Sequence, residues 1–204
     1  MTKAATPLFL GTNRYVAAVN PQTGKELWRT KLPHAGAAIV TVLAGKAYLF
    51  VGHAGHVYCL DKRLGSIVWE NGLPRMGFQP VLLASETDAA GRMRQVYIGT
   101  NRHVAALNPR TGDESWRTRL PHGSASTIAL LPSGDHLFVG HAGHLYCLAR
   151  RTGEILWENN LPRMGFHAVI PVTEGLSGGS AAVAAALQAE QRRRAAAAGS
   201  ATGS

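Results

Sequence analysis

Cysteine is almost missing: Cys59 and Cys147 are the only two in 204 residues, too few for a disulfide scaffold. Long apolar runs are missing too. No stretch approaches the roughly 20 residues that a membrane-spanning helix needs, so insertion by such a helix is excluded. The first residues, MTKAATPLFLGTNR, contain no small-residue cleavage site and no apolar core of the roughly 7–15 residues that export signals use. A cytoplasmic location is the expectation. Acids are scarce, 12 Asp plus Glu against 21 Lys plus Arg, for a formal net charge of +9. They are scattered singly, apart from the neighbours Asp113 and Glu114. No paired-carboxylate signature of glycoside hydrolysis is present, and no serine sits in a strand–turn–helix elbow. Glycine is plentiful at 23 residues, but it shows no three-residue period, and 46% of the chain is apolar. Collagen-like and disordered chains are thereby excluded.

What the sequence has is repetition. A shift of 88 residues lays Gly11–His34 on Gly99–His122 and Leu49–Leu60 on Leu137–Leu148; over Gly11–Glu86 against Gly99–Glu174, 45 of 76 pairs are identical without a gap. Each half repeats again at a shift of 41. Gly11, Val16, Asn20, Gly24, Trp28, Leu32-Pro33 and Gly36 meet Gly52, Val57, Asp61, Gly65, Trp69, Leu73-Pro74 and Gly77. Four units of about 40 residues result, ending near Glu174.

Each unit reads as four short strands separated by turn residues. In the second they are expected near Ala47–Val51, His56–Asp61, Ser66–Asn71 and Gln79–Ser85. Ala54-Gly55 centres a tight hairpin. Asp61–Gly65 is a turn in which the Asp side chain can bond its own backbone and Gly65 can take positive φ. Leu73–Phe78 makes a looser third turn. One such sheet cannot bury both faces alone, whereas sheets set side by side around an axis can.

The strings VAAVNPQTGKELW, VYCLDKRLGSIVW, VAALNPRTGDESW and LYCLARRTGEILW resemble the propeller repeat of the pyrroloquinoline-quinone (PQQ) type, roughly Ala-x-Asp-x-x-Thr-Gly with Trp three residues on. The resemblance covers about 170 of the 204 residues. Leu64 stands where Thr is usual, and Ala149 where Asp or Asn is usual. The fold it implies is all-β: a propeller of four PQQ-like, four-stranded blades, at approximately residues 1–45, 46–94, 95–134 and 135–174. It also implies that Trp28, Trp69, Trp116 and Trp157 dock between neighbouring blades. Residues 175–204 are a Gly/Ser linker followed by an alanine-rich stretch with Arg192–Arg194, expected to be a helical or disordered tail.

The resemblance offers two functional classes. Quinone-dependent dehydrogenases share the repeat, but they close a funnel of about eight blades over the cofactor with an adjacent cysteine pair, whereas Cys59 and Cys147 are 88 residues apart. Non-enzymatic scaffolds of outer-membrane protein assembly share it as well, though this chain shows no lipobox cysteine. The expectation is a non-catalytic interaction module with no cofactor; an enzyme of the first class, or a fragment of one, stays open.

Charge points to where a partner would sit. The tail holds three Arg and one Glu, +2 of the total +9, so the blades carry +7. The first and third turns of each blade fall on one face of a propeller, and they hold Arg14, His34, His53, His56, Arg75, Arg102, His103, His122, His141, His144 and Arg163, with His167 just following. Such a face suits a protein or anionic ligand and gains charge as pH falls toward about 6. Nucleic acid is expected only non-specifically, since no binding motif is present. The strings HAGHVYC and HAGHLYC add a weak metal reading. His56 and Cys59, three apart on one strand, point to opposite faces, which leaves His53 with His56, and His141 with His144, as two-ligand candidates.

Four blades can close alone or pair. An open half-ring leaves an apolar face at each end, and two chains joined head-to-tail would close an eight-bladed ring. A homodimer is the expectation.

Overall fold

A computed structural model describes residues 6–34, 39–77, 80–122, 127–165 and 167–174. The tail expected at 175–204 lies outside the described residues. Fifteen strands form four antiparallel sheets and no helix occurs among the described residues. None of them therefore forms a helix long and apolar enough to cross a membrane.

The first sheet has three strands, β1 (Leu8–Thr12), β2 (Tyr15–Val19) and β3 (Glu26–Lys31). The second holds β4 (Thr41–Ala44), β5 (Tyr48–His53), β6 (His56–Asp61) and β7 (Ile67–Asn71). The third holds β8 (Leu82–Thr87), β9 (Met93–Thr100), β10 (His103–Leu107) and β11 (Glu114–Arg119). The fourth holds β12 (Ile128–Ser133), β13 (His136–His141), β14 (His144–Ala149) and β15 (Ile155–Asn159). Within each sheet the strands run in chain order. β1 packs on β4, β4 on β8 and β8 on β12, so the first strand of each four-stranded sheet lies innermost and each sheet leans on the next.

The sheets are out of phase with the sequence repeat by one strand. The strand expected at Gln79–Ser85 to finish the second unit is β8, and it opens the third sheet by pairing Leu82 with Gly99. A single unit is thus shared between two sheets, which ties neighbours covalently as well as by packing. The first sheet correspondingly has three strands where four were expected: among the described residues β1 pairs only with β2.

Alternation in the strands sends one set of side chains forward and the other back. In the second sheet Leu49, Val51, Tyr58 and Leu60 join Val16 and Leu32 in a core against the first sheet. Phe50, Val57 and Cys59 face the other way, into a core with Val96, Ile98, Ala105 and Leu107 of the third. A third core joins the third and fourth sheets around Tyr97, Tyr146 and Leu148. Both cysteines are buried free thiols, and burial pushes the Cys59 thiol up to about 12, with Asp61 adding to it. These are packing residues, not nucleophiles. A register shift recurs at the same place in every repeat, at Ala18/Val19, Cys59/Leu60, Ala106/Leu107 and Cys147/Leu148. That bulge precedes the turn to the outer strand.

Candidate functional site

The two ends of the sheets are built differently. At one end lie the turns Asn20–Gly24, Asp61–Gly65 and Asn108–Gly112, where an Asx oxygen accepts backbone N–H groups. Asn20 Oδ1 takes Gln22 N and Thr23 N, and Asp61 Oδ1 takes Arg63 N and Leu64 N. The residue at positive φ there is always glycine.

At the other end lie the hairpins Asn13-Arg14, Ala54-Gly55, Asn101-Arg102 and Ala142-Gly143, in which both central residues have positive φ, the type I′ geometry. The turns after β7 and β15 lie at this end too, with Leu73 at φ 41, Arg75 at 66, Leu161 at 42 and Arg163 at 68. All ten described non-glycine residues with positive φ sit at this end. Each costs roughly 1–2 kcal/mol relative to an ordinary conformation, and such outliers concentrate at ligand-holding segments.

The histidines and arginines read from the sequence are at this end, in four different situations. Arg14 and Arg102 are engaged with the backbone: Nη2 of Arg14 donates to Leu32 O and Pro33 O, and Nη2 of Arg102 to Leu120 O and Pro121 O. They staple the hairpin to the segment after the outer strand. His53 and His141 are fully buried. Register sets His53 opposite His56 and His141 opposite His144, but neither buried ring belongs to the three-ligand group that the fold assembles. His103 has Nδ1 at 2.9 Å from Asn101 O. Arg75, Arg163 and His167 are exposed.

The fourth situation is a cluster that joins two sheets. His34, from the segment after β3, stacks on His56 of β6 with ring centroids 4.0 Å apart and planes at 10°. Both rings converge on one carboxylate oxygen: His34 Nε2 lies 2.7 Å and His56 Nδ1 3.0 Å from Glu70 Oε1. The Tyr58 ring stacks under His56 at 6.0 Å, its phenol pushed up to about 12 by burial first and the Glu70 charge second. His56 itself is held below 6.5, by burial first and by His34 second, while Glu70 pulls the other way. One ligand atom from each of His34, His56 and Glu70 falls within a 4.8 Å group, so these three could hold a metal ion.

The duplicate is looser. His122 and His144 are 5.2 Å apart, and their nearest nitrogens lie 3.7 and 2.8 Å from Glu158 Oε1. This group opens on a cleft of about 730 Å³ lined by His122, His144, Trp157, Glu158, Asn159 and Asn160. Between the second and third sheets the equivalent positions are Arg75, His103 and Arg117. There Arg117 Nη1 donates to Pro74 O and Nη2 pairs with Glu114. The loop end thus alternates His–His–Glu with Arg–His–Arg.

Glu70 and Glu158 were not visible from sequence as site residues. The signal was present: pairing β6 with β7 sets Tyr58 opposite Glu70, two residues along β6 from His56. Only the lean of one sheet on the next brings His34 to the same oxygen.

Sequence and structure comparisons agree with this architecture. A family model described as the EMC1 N-terminal beta-propeller domain matches residues 2–139, and one described as outer membrane protein assembly factor BamB matches residues 100–198. The chain is a PQQ-like β-propeller repeat protein and belongs to the family of the EMC1 N-terminal β-propeller domain. Among solved structures it is similar to BamB from Moraxella catarrhalis, at 17% identity and TM-score 0.53, over 77% of this chain and 51% of that one. The computationally designed Ika8 protein is similar at 19% identity and TM-score 0.57, over 81% and 52%. A quinohemoprotein alcohol dehydrogenase from Pseudomonas putida matches at 16% identity and TM-score 0.54, over 75% and 33%. The chain therefore spans about half the length of the first two and one third of the last. No curated protein sequence matches it.

Proposed function

We propose that this chain is a non-catalytic propeller module that holds a protein segment or other anionic ligand at the end carrying Arg75, Arg163, His34 and His122. One observation carries the reading. The strained non-glycine turns and the exposed cationic and imidazole groups coincide at one end of the sheets, although the opposite end supplies equally exposed turns. Strain kept where it is avoidable points to selection for what those turns present. The test is binding of an Asp/Glu-rich fluorescent peptide followed by anisotropy. The double variant R75E/R163E should abolish binding, and raised salt should weaken it. Equal loss on placing Glu at Arg63 and Arg110, in the opposite turns, would overturn the assignment. Reconstitution with PQQ and calcium, assayed by dye reduction against an alcohol panel, addresses the dehydrogenase alternative; turnover there would refute a non-catalytic role.

A second reading rests on the His34, His56 and Glu70 convergence: a divalent metal site of zinc type at the joint between the first two sheets. Calorimetry with zinc should then show binding that H34A and H56A each remove. Heat unchanged by either variant counts against it.

A further inference from the structure

Three joints hold the four sheets together, and all three use the same parts. At the first, the Trp28 ring lies on Gly65, its Nε1 donates to Lys62 O at 3.2 Å, and Thr30 Oγ1 donates to Gly65 O at 2.6 Å. At the second, Trp69 lies on Gly112 and donates to Pro109 O at 3.2 Å, while Asn71 Nδ2 donates to Gly112 O at 2.8 Å. At the third, Trp116 lies on Gly153 and donates to Arg150 O at 3.0 Å, with Thr118 Oγ1 on Gly153 O. Each joint therefore has a donor half from one sheet and an acceptor half from the next.

One donor half and one acceptor half are left over, and they are duplicates of the middle joint. The 88-residue shift carries Trp69 and Asn71 to Trp157 and Asn159, and carries Pro109 and Gly112 back to Pro21 and Gly24. Trp157 is 45% exposed. Gly24 has a positive φ like its three equivalents, but among the described residues no atom beyond its chain neighbours lies within 4 Å of where its Cβ would stand.

The apolar faces behind these halves tell the same story. Met76 is fully buried in the middle joint, against a wall that includes Val96 and Ile98. Its duplicate Met164 is 72% exposed, and Leu8 and Leu10, the counterparts of Val96 and Ile98, are 57% and 39% exposed. The backbone is complementary as well. β5, β9 and β13 each have an inner neighbour, whereas β1 has none among the described residues. Residues Ile170–Glu174 are the duplicate of Leu82–Glu86 in β8. The Val169 carbonyl already crosses Gly140 as the Val81 carbonyl crosses Gly52, yet the segment forms no more than an isolated bridge at Thr173 among the described residues, and Val172 is 68% exposed.

We propose that the occupant of both free faces is a second copy of this chain. Trp157 of one copy docks on Gly24 and Pro21 of the other, Asn159 bonds the Gly24 carbonyl, and residues 170–174 add to β1 as its missing inner strand. The two-fold arrangement uses each half once and closes eight sheets into a ring without free faces. The curvature is suitable, since 77% and 81% of this chain match 51% of BamB and 52% of Ika8 in structure. This inference is independent of the ligand-holding reading, because the joint lies between the sheets and not at their loop ends.

Light scattering on the 204-residue chain at micromolar concentration tests it. The expected mass is twice 21.7 kDa. W157E and L10E, each at an exposed position, should be folded by circular dichroism and monomeric. Mixed together they regain one intact joint and should form a heterodimer. Amides of β1 should exchange slowly in the wild type and quickly in W157E. A wild-type monomer, a trimer, or a dimer indifferent to W157E would each overturn the proposal.

Discussion

The two ends of the sheets solve the same problem with different residues. Both must reverse the chain with positive φ. At the Asx-turn end that position is Gly24, Gly65, Gly112 or Gly153; at the loop end Arg14, Ala54, Leu73, Arg75 and their repeats take it as well, beside Gly55, Gly77, Gly143 and Gly165. The glycines are required twice over. They relieve the backbone, and three of them leave room for a tryptophan: a Cβ at Gly65 or Gly112 would stand 2.6 Å from the Trp28 or Trp69 ring. At the loop end no tryptophan ring lies on the strained positions, so a side chain has room there, whether it is buried, as at Leu73 and Ala54, or exposed, as at Arg75 and Arg163. Glycine beneath a tryptophan marks a joint, and the exposed strained arginines Arg75 and Arg163 mark a presented surface.

The sharpest way to break that contrast is Gly112→Ala. It adds a left-handed alanine and a clash with Trp69, so the expected loss is about 2–4 kcal/mol in denaturant unfolding. Gly65→Ala and Gly153→Ala should lose similar amounts. A loss below about 1 kcal/mol at all three would mean that the tryptophans do not need the glycines.

At the opposite end, Arg75→Gly and Arg163→Gly should each stabilise by about 0.5–1 kcal/mol, because relief of the left-handed strain exceeds the entropy of added glycine. Peptide binding should weaken at the same time. Gains in stability without loss of binding would separate strain from function.

A smaller effect is expected at Ala149. Its turn keeps the backbone bond from Gly153 N to Ala149 O at 2.8 Å but lacks the side-chain acceptor that Asn20 and Asp61 supply. Ala149→Asn restores it and should raise stability by about 0.5–1 kcal/mol. An unchanged unfolding midpoint would show that the backbone bonds alone suffice.

The gentlest prediction concerns pH. His56 titrates below 6.5 in the folded chain, so between that depressed value and 6.5 the unfolded chain binds more protons. The contribution to stability is therefore complete above the unfolded value and is lost as pH falls through 6.5 toward the folded one. Proton NMR should find the His56 midpoint raised in H34A, which removes a neighbouring positive charge, and lowered further in E70Q. Movement in the opposite sense in either variant contradicts the assigned causes.

The repeats and the tight hairpin at Ala54-Gly55 were readable in the chain, because each depends on nearby residues or on a recurring spacing, and the resemblance to the PQQ-type repeat added the docking tryptophans. The phase of the sheets was not. Repeat boundaries drawn on similarity put Gln79–Ser85 with the second unit, whereas hydrogen bonding pairs β8 with β9. Similarity between units is blind to which neighbour a strand bonds. The site was half legible. His34 and His56 were singled out, but as members of a face; their meeting on Glu70 involves three segments and two sheets.

Sequence alone determined that this chain is four copies of one all-β unit with turns and docking residues in place, since pleat, turn chemistry and spacing are local properties. Tertiary structure decided what identical residues do. Gly24 and Gly112 sit in near-identical strings, yet one carries a tryptophan and the other is bare. Met76 and Met164 share the string LPRMGF, yet one is buried and the other stands in solvent. The physical reason is that a local string specifies a strand and a turn, whereas burial depends on whether another sheet is there to lean against.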